Sequence, residues 1–247
     1  MDSVLNRNPN LTVTQRLVLE IGLYHTAVSS TFIATRFDLL PEDYVSKRLA
    51  MLGDPPPGRY YALLGVIPEL FGLVFHISQL RQKAPLTPLD LSQTTQIFSR
   101  LEVLQEQLFS PGKIANAPAD MIFIAQLYHL ACTLLLRKVC NTSLRETEPD
   151  VQAIVEAAIL ILDQLTADGL ESPVIPWPLI IISCGATKTS HQSRLRGPLE
   201  TSWRKERLGS SLNALRLLDR AWFGFTSSAT GLGLDALFCD ILGTICY

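Results

Sequence analysis

Apolar residues along this chain recur with the spacing of an α-helix. Residues 69–82 follow the i, i+3, i+4, i+7 pattern, which places one apolar stripe on a helix. Pro68 precedes them and suits the first turn of a helix. The stripe consists of Leu70, Leu73, Val74, Ile77 and Leu80. The pattern therefore predicts an amphipathic helix that begins just after Pro68.

A second helix is predicted from residue 87 onwards. Thr87 can cap the helix, Pro88 suits its first position, and Asp90 lies in its first turn. The apolar stripe of this helix is Ile97, Leu101, Leu104 and Leu108. We expect Ser110-Pro111-Gly112 to end it, because proline and glycine interrupt helices.

Residues 120–138 are apolar on nearly every side of the helix that they predict. A helix on a protein surface keeps a polar face, whereas a helix that is apolar all round is surrounded by other helices. We therefore expect this helix at the centre of the fold. The sequence predicts an all-α protein, a single large multi-helix domain with a buried central helix.

Four further segments continue the helical pattern. Residues 151–165 predict an amphipathic helix with Gly169 as its stop. The Ile-rich SPVIPWPLIIISCGA could form a strand, but an isolated strand would have nothing to pair with. A buried helix that begins at Pro176–Pro178 is the better interpretation. Residues 198–207 and 210–222 predict two helices separated by Gly209.

The sequence DPPPG at 54–58 divides the chain, because proline and glycine favour turns and linkers. We predict an N-terminal helical arm over residues 1–53, a Pro/Gly linker over 54–58 and a main domain over 59–247. The arm also has a helical pattern, although its periodicity is less sharp than that of the main domain.

Composition indicates a folded protein without a strong overall attraction to charged partners. Hydrophobic residues make up 47% of the 247 residues and charged residues 18%, which excludes a disordered chain. A formal net charge of −2 gives no overall field that would attract nucleic acid or an anionic membrane. The first ten residues lack the basic-then-apolar order of a secretory signal.

The cysteines and the most apolar segment both suggest an intracellular, non-membrane protein. None of the five cysteines belongs to a C-x-x-C pair, which favours reduced, structural thiols. Segment 60–80 is apolar, but Glu69, His76 and the break at Pro68 leave its uncharged run shorter than a membrane span. We therefore interpret that segment as protein core. The cysteines are Cys132, Cys140, Cys184, Cys239 and Cys246.

The sequence carries no recognised local motif for catalysis or metal binding. It contains no G-x-x-x-x-G-K-[ST], H-E-x-x-H or G-x-S-x-G. GLGLDA at 231–236 fits G-x-G-x-x-A, but no βαβ unit surrounds it and no acidic ribose partner follows, so a turn is the better interpretation. We predict no catalytic, cofactor-binding or metal-binding residues.

A few side chains allow a chemical alternative. Cys184 could act as a nucleophile near His191, with its thiolate stabilised by Lys188 or Arg194, but a small buried residue on an apolar helix is favoured. Three histidines lack a second ligand at i+3 or i+4, so they predict core positions instead of a zinc site. They are His25, His76 and His129.

Residues 188–207 form the most charge-dense stretch of the chain. Their basic residues surround Trp203 and outnumber Glu200 and Glu206, so a phosphate-binding or nuclear-import surface could form there. A solvated helical face is the favoured alternative. The basic residues are Lys188, Arg194, Arg196, Arg204, Lys205 and Arg207.

Four segments carry features beyond helical spacing. They are ALLGVIPELFGLVFHISQL (62–80), AQLYHLACTLLLRKV (125–139), PWPLIIISCGA (176–186) and RLGSSLNALRLLDRAW (207–222). In this order they resemble the fungal-specific transcription factor domain, the C-terminal regulatory region of zinc binuclear cluster regulators. Ser183 and Gly185 depart from that pattern, since the family often has glycine and glutamate at these places.

The resemblance implies a nuclear transcriptional regulator. The family's DNA-binding module needs six closely spaced cysteines around two zinc ions, and these 247 residues contain no such cluster. We therefore expect a regulator or co-regulator without zinc-cluster DNA binding of its own. It would act through a DNA-binding regulator or other protein partner on a fungal gene set such as a biosynthetic cluster, with a small-molecule effector and homo-oligomerisation as further expectations.

Two alternatives to this regulator remain open. The helical fold could serve a metabolic pathway as a small-molecule-binding protein or an enzyme, because the interior of a helical bundle can hold a ligand. Catalysis is less favoured than regulation, although an acid–base pair from distant helices would leave no local motif. The chain could also be a fragment of a longer regulator.

Overall fold

A computed structural model describes residues 11–33, 40–41, 43–53, 55, 59–83, 85–109, 116–206, 209–223 and 231–238. Over these ranges the chain forms ten α-helices and a 3-10 helix without a β-strand, which confirms the all-α prediction. The α-helices are α1 (Val13–Ser30), α2 (Tyr44–Leu52), α3 (Glu69–Gln82), α4 (Pro88–Phe109), α5 (Ala119–Cys140), α6 (Pro149–Leu162), α7 (Ala167–Leu170), α8 (Pro176–Ser183), α9 (Thr189–Glu206) and α10 (Gly209–Phe223). The 3-10 helix is Gly233–Phe238.

Helix α5 lies at the centre of the bundle, as the sequence predicts. It packs against α3, α4, α6 and α8, and its middle turns are buried on every side from Leu127 to Leu136 apart from two half-buried positions. Within the described residues, α5 alone is long and apolar enough to cross a membrane by length and composition. Its neighbours account for that apolar character, because a helix enclosed by other helices needs no polar face.

The predicted starts of α3 and α4 are confirmed. Helix α3 begins at Glu69, directly after Pro68, and α4 begins at Pro88. At the start of α4 the backbone N–H of Asp90 donates to Oγ1 of Thr87 at 3.3 Å, and the backbone N–H of Thr87 donates to the Asp90 carboxylate at 2.9 Å. This reciprocal pair satisfies two of the backbone donors that a helix start leaves open.

The Ile-rich segment forms helix α8, and the alternative of a strand is excluded. The Trp177 ring stacks on Tyr128 of α5, with centroids 5.2 Å apart and planes at 14°. Its Nε1 donates to Oγ1 of Thr31 at 3.1 Å, and that oxygen lies 2.8 Å from Oγ of Ser78. Trp177 therefore joins α8 to the end of α1 and to α3.

Two buried tyrosines fix the chain just before α8. The Tyr24 hydroxyl donates to the carbonyl of Pro173 at 3.2 Å, and the Tyr128 hydroxyl donates to the carbonyl of Val174 at 2.8 Å. Burial raises the pKa of Tyr24 to about 12. Burial also raises the pKa of Tyr128 well above its ordinary value. Both hydroxyls are therefore protonated donors at neutral pH.

The N-terminal helices pack on the rest of the bundle. Helices α1 and α2 contact α3 and contribute Ala27 and Val45 to the same apolar core. Helix α2 ends at Leu52 and is followed by Gly53, whose φ of 64° lies in the left-handed region that favours glycine. Of the predicted linker 54–58, only residue 55 lies within the described ranges. The division into arm, linker and main domain stays a prediction.

Gly169 does not end α6, contrary to our expectation. Helix α6 ends at Leu162, and Gly169 lies within the short helix α7. Its backbone N–H donates to Oγ1 of Thr166 at 3.1 Å. A Cβ at position 169 would lie 2.7 Å from Cγ of Asp120 on α5. The glycine permits this close approach and has no role as the C-cap of α6.

The two helices predicted after α8 also have different boundaries. Helix α9 begins at Thr189 instead of residue 198, and Pro198 lies inside it. The prediction treated Pro198 as a helix start, where proline is most favourable, but proline also occurs in helix interiors at the cost of one hydrogen bond. Gly209 is the first residue of α10 and not a separator before it.

The GLGLDA sequence belongs to a short segment that packs against α10. Within it the chain forms the 3-10 helix Gly233–Phe238, so the segment has no strand–turn–helix context for a dinucleotide. A Cβ at Gly231 would lie 2.3 Å from the carbonyl oxygen of Ala221, and Gly233 has a φ of 51°. Both glycines therefore allow the segment to lie close against its neighbours.

Lys138 of α5 anchors this segment, residues 231–238, which we name the docked segment. The Lys138 side chain is 1% exposed, and its Nζ donates to the carbonyls of Thr142 at 2.5 Å and Leu144 at 3.0 Å. It also binds Oδ1 of Asp235 at 2.7 Å. Arg145 binds the other carboxylate oxygen of Asp235 at 3.0 Å. A buried cation of the central helix thus holds the docked segment in place.

Candidate functional site

Helix α1 exposes a row of large apolar side chains. Val13, Leu17, Val18 and Ile21, named here the α1 stripe, have exposed fractions of 82%, 41%, 63% and 40%. Positions 13, 17 and 21 are about one helical turn apart, so their side chains form a continuous line. The opposite face of the helix is buried in the core through Leu23, Tyr24 and Ala27.

The surroundings of the α1 stripe are mostly polar, and they include the half-buried Arg16. Thr14, Gln15 and Gly22 are exposed beside it, and Glu20, the acidic residue of this helix, is buried. Single exposed apolar residues are ordinary on a protein surface, whereas a contiguous row marks a contact surface. The α1 stripe is therefore a candidate interface.

A second candidate site is a cleft of about 330 Å³ between helices α6 and α7 on one side and α9 on the other. Leu162, Ala167 and Leu170 form one apolar wall, and Gly197 and Pro198 of α9 form the facing wall. The volume is within the range of small-molecule sites. We name this space the α6–α9 cleft.

Two groups of opposite charge line the α6–α9 cleft. They are Arg194, on α9, and Glu171, just after α7. Arg194 forms an ion pair with Asp163 through Nη2, and Glu171 forms one with Lys205. Neither Asp163 nor Lys205 lines the cleft. The cleft thus presents a guanidinium and a carboxylate.

The structure also places the basic residues of stretch 188–207. Each of the five basic side chains that it describes there contacts an acidic side chain, and Arg207 lies outside the described residues. This pairing favours the solvated face over a phosphate-binding surface, because the positive charge is already matched locally. The pairs are Lys188–Glu156, Arg194–Asp163, Arg196–Glu200, Arg196–Asp219, Arg204–Glu200 and Lys205–Glu171.

Cys184 and His129 occupy core positions, whereas His25 is exposed, contrary to its predicted core position. Cys184 is 1% exposed at the end of α8, a setting that favours the structural interpretation over a nucleophile. Nε2 of His129 lies 2.9 Å from the carbonyl oxygen of Leu101, and burial lowers the pKa of the ring. In the part of the chain that the structure describes, no group of three or more His, Cys, Asp or Glu side chains could hold a metal ion.

The corner after α8 explains the departure at Gly185. A Cβ at position 185 would lie 2.9 Å from Cγ1 of Val151 on α6, so this chain has no room there for a larger side chain without a shift of α6. The carbonyl of Ser183 accepts a hydrogen bond from Nε1 of Trp222, and that of Gly185 accepts one from Nε2 of Gln152, both at 2.8 Å. The corner is therefore a packing junction.

Sequence reasoning identified Arg194 as part of a basic stretch and as a cation that could stabilise the Cys184 thiolate, and it overlooked Glu171 and the α1 stripe. The i, i+4, i+8 spacing of Val13, Leu17 and Ile21 was the available signal for the stripe. The cleft had no local signal, because its walls come from helices that are distant along the chain.

The described residues thus form an all-α domain whose outward features are an apolar helix face and a cleft between helices. The sequence matches the profile of the fungal specific transcription factor domain over residues 3–223. No curated protein and no solved structure matches the chain significantly. Because the match covers most of the chain, this protein belongs to the fungal-specific transcription factor domain family. A role in transcription regulation follows from this family, which generally acts in the nucleus.

Proposed function

We propose that this protein regulates the transcription of a fungal gene set, such as a biosynthetic cluster, by binding a DNA-binding protein partner in the nucleus. The family supports the regulatory part of the proposal. The α1 stripe supports the partner, and it is the observation that carries the proposal. Matched charges in stretch 188–207 argue against direct phosphate binding by that surface.

The α1 stripe suits an amphipathic helix of the partner. Positions 13 to 21 extend over about 12 Å at 1.5 Å per residue, which is two turns of a facing helix. Recognition of this kind uses apolar anchors at i, i+3, i+4 and i+7. Since the exposed side chains of the α1 stripe are themselves apolar, the partner's contact face must be apolar at its centre.

The proposal is tested by deletion of the gene followed by transcript profiling and metabolite analysis. The deletion strain is then complemented with the wild-type gene, with the double variant Leu17→Glu/Ile21→Glu, or with Leu160→Glu. Leu160 is the matched control, because it is 64% exposed on α6 and lies outside the α1 stripe. Circular dichroism of each purified protein checks that it folds.

We expect the deletion to change the transcripts of a coherent gene set. The wild-type gene and Leu160→Glu should restore them, and the double variant should not. Unchanged transcripts with one accumulating metabolite would overturn the regulatory role. Full restoration by the folded double variant would refute docking at α1, and sedimentation showing a stripe-dependent homodimer would reassign the stripe to self-association.

A further inference from the structure

We infer that the α6–α9 cleft binds a small zwitterionic metabolite, a molecule with a carboxylate, an ammonium group and an apolar body. The cleft lies on α6, α7 and α9, whereas the α1 stripe lies on α1, so this site is separate from the proposed partner surface.

Arg194 provides the anchor for the carboxylate. Asp163 contacts its guanidinium through Nη2, and the remaining N–H groups can donate charge-assisted hydrogen bonds to a ligand carboxylate. The ion pair with Asp163 also limits the rotation of the arginine side chain, so less entropy is lost when the ligand binds.

Glu171 provides the anchor for the ammonium group. It lines the cleft together with Leu170, while its partner Lys205 does not. The side chain of Glu171 is 39% exposed, so a ligand ammonium can reach its carboxylate from the cleft. A ligand with a single charge would satisfy only one of the two anchors, and this difference favours a zwitterion.

Gly197 and Pro198 complete the lining on the α9 side of the cleft. The apolar wall of Leu162, Ala167 and Leu170 covers the body of the ligand, and its burial supplies the non-directional part of the affinity.

Titration calorimetry on the purified chain tests the inference with four probes. L-Leucine and 6-aminohexanoate are zwitterions with short and long charge separations, and hexanoate and hexylamine each carry one charge. We expect at least one zwitterion to bind about fivefold or more tightly than both single-charge probes, as the addition of one exposed charge contact implies. Equal binding of hexanoate, or no binding by either zwitterion, would overturn the inference.

Variants then locate the site. Leu170→Trp should fill the cleft and abolish binding, while Arg194→Gln and Glu171→Gln should each weaken it about fivefold. The matched controls are Arg204→Gln and Glu156→Gln, which also belong to exposed ion pairs but do not line the cleft. Equal loss in the control variants would contradict this site, and thermal melts without ligand separate loss of binding from loss of folding.

A role for this metabolite as an effector rests on the proposed regulatory function, whereas its binding does not. Calorimetry measures ligand binding to the cleft, and transcript profiling measures the effect of the protein on transcription. Binding without any transcript change would refute only the regulatory role, and a transcript change without binding would refute only the cleft.

Discussion

Asp235 contacts two cations whose surroundings differ. Lys138 is 1% exposed, and Arg145 is 63% exposed. An exposed ion pair contributes little to stability, since water and salt screen it and two side chains must be held in place. A buried cation has lost its water, so its protein acceptors become essential.

Replacement of Lys138 with methionine should therefore destabilise the fold far more than replacement of Arg145 with glutamine. Lys138→Met removes the donor from the carbonyls of Thr142 and Leu144 as well as from Asp235, and we expect a loss of about 2–4 kcal/mol in the free energy of unfolding. Arg145→Gln should cost less than about 1 kcal/mol. Urea denaturation measures the free energy of unfolding of both variants. Equal losses would contradict the greater importance of the buried lysine.

Gly231 and Gly22 form a second contrast between single positions. A Cβ at Gly231 would meet backbone atoms of Ala221 and Trp222 at 2.3–2.5 Å, whereas a Cβ at Gly22 would meet nothing within 4 Å. We expect Gly231→Ala to destabilise the protein by about 1–3 kcal/mol, because the docked segment must shift. Gly22→Ala should stabilise helix α1 by up to about 1 kcal/mol. Denaturant midpoints of the two variants test these opposite signs.

At the scale of elements, the chain before α8 depends on the protonated hydroxyls of Tyr24 and Tyr128. An unfolded tyrosine titrates near its ordinary pKa of about 10, and burial raises the folded pKa of Tyr24 to about 12. The folded state thus holds a proton that the unfolded state releases. The stability that the protonated Tyr24 hydroxyl contributes is fully present below pH 10 and is lost as the pH rises towards 12.

We expect the melting temperature of the wild-type protein to fall steeply between pH 10 and pH 12. Tyr24→Phe should cost about 1 kcal/mol at pH 8, because the carbonyl of Pro173 loses its donor. Its melting temperature should then decline less than that of the wild type above pH 10. Thermal melts across this range, with tyrosinate absorbance recorded in parallel, measure the effect, and identical slopes for the two proteins would refute it.

The sequence predicted the elements well where the signal was local. Pro68, Thr87 and Pro176 mark the starts of α3, α4 and α8, because capping and proline geometry act within one helical turn. Position 198 was misassigned, since proline at a helix start and proline inside a helix look alike in one sequence. Gly169 was misassigned because its role depends on Asp120, which approaches from another helix.

The candidate sites were less predictable than the helices. Helix α1 has apolar residues on two faces, and the sequence alone does not show that Tyr24 and Ala27 face the core while Leu17 faces outward. The α6–α9 cleft depends on how three helices pack. Such spaces are properties of tertiary contacts, for which hydrophobic periodicity carries no information.

At the scale of the whole molecule, acidic residues from other parts of the chain balance the bases of stretch 188–207. Glu156, Asp163 and Glu171 each contact one of its cations, and a hydrogen bond from Lys188 holds the pKa of Glu156 below its usual value. Glu156 therefore remains ionised at neutral pH. Together with the net charge of −2, this balance leaves little attraction for a polyanion.

We expect the protein to pass through a heparin column without retention at about 0.15 M ionic strength, because its positive charges are matched. The triple variant Glu156→Gln/Asp163→Asn/Glu171→Gln should be retained, since it frees Lys188, Arg194 and Lys205 for the resin. Retention of the wild-type protein under these conditions would favour the phosphate-binding interpretation of this stretch.

The docked segment lies after residue 223, where the match to the family ends. Lys138 lies inside that match, yet Asp235 lies outside it. The carbonyls of Thr142 and Leu144 leave the charge of this buried lysine unbalanced, and Asp235 supplies the counter-charge. Lys138 and Asp235 should accordingly have been gained and lost together in evolution, and relatives without the docked segment should carry an apolar residue at the position of Lys138.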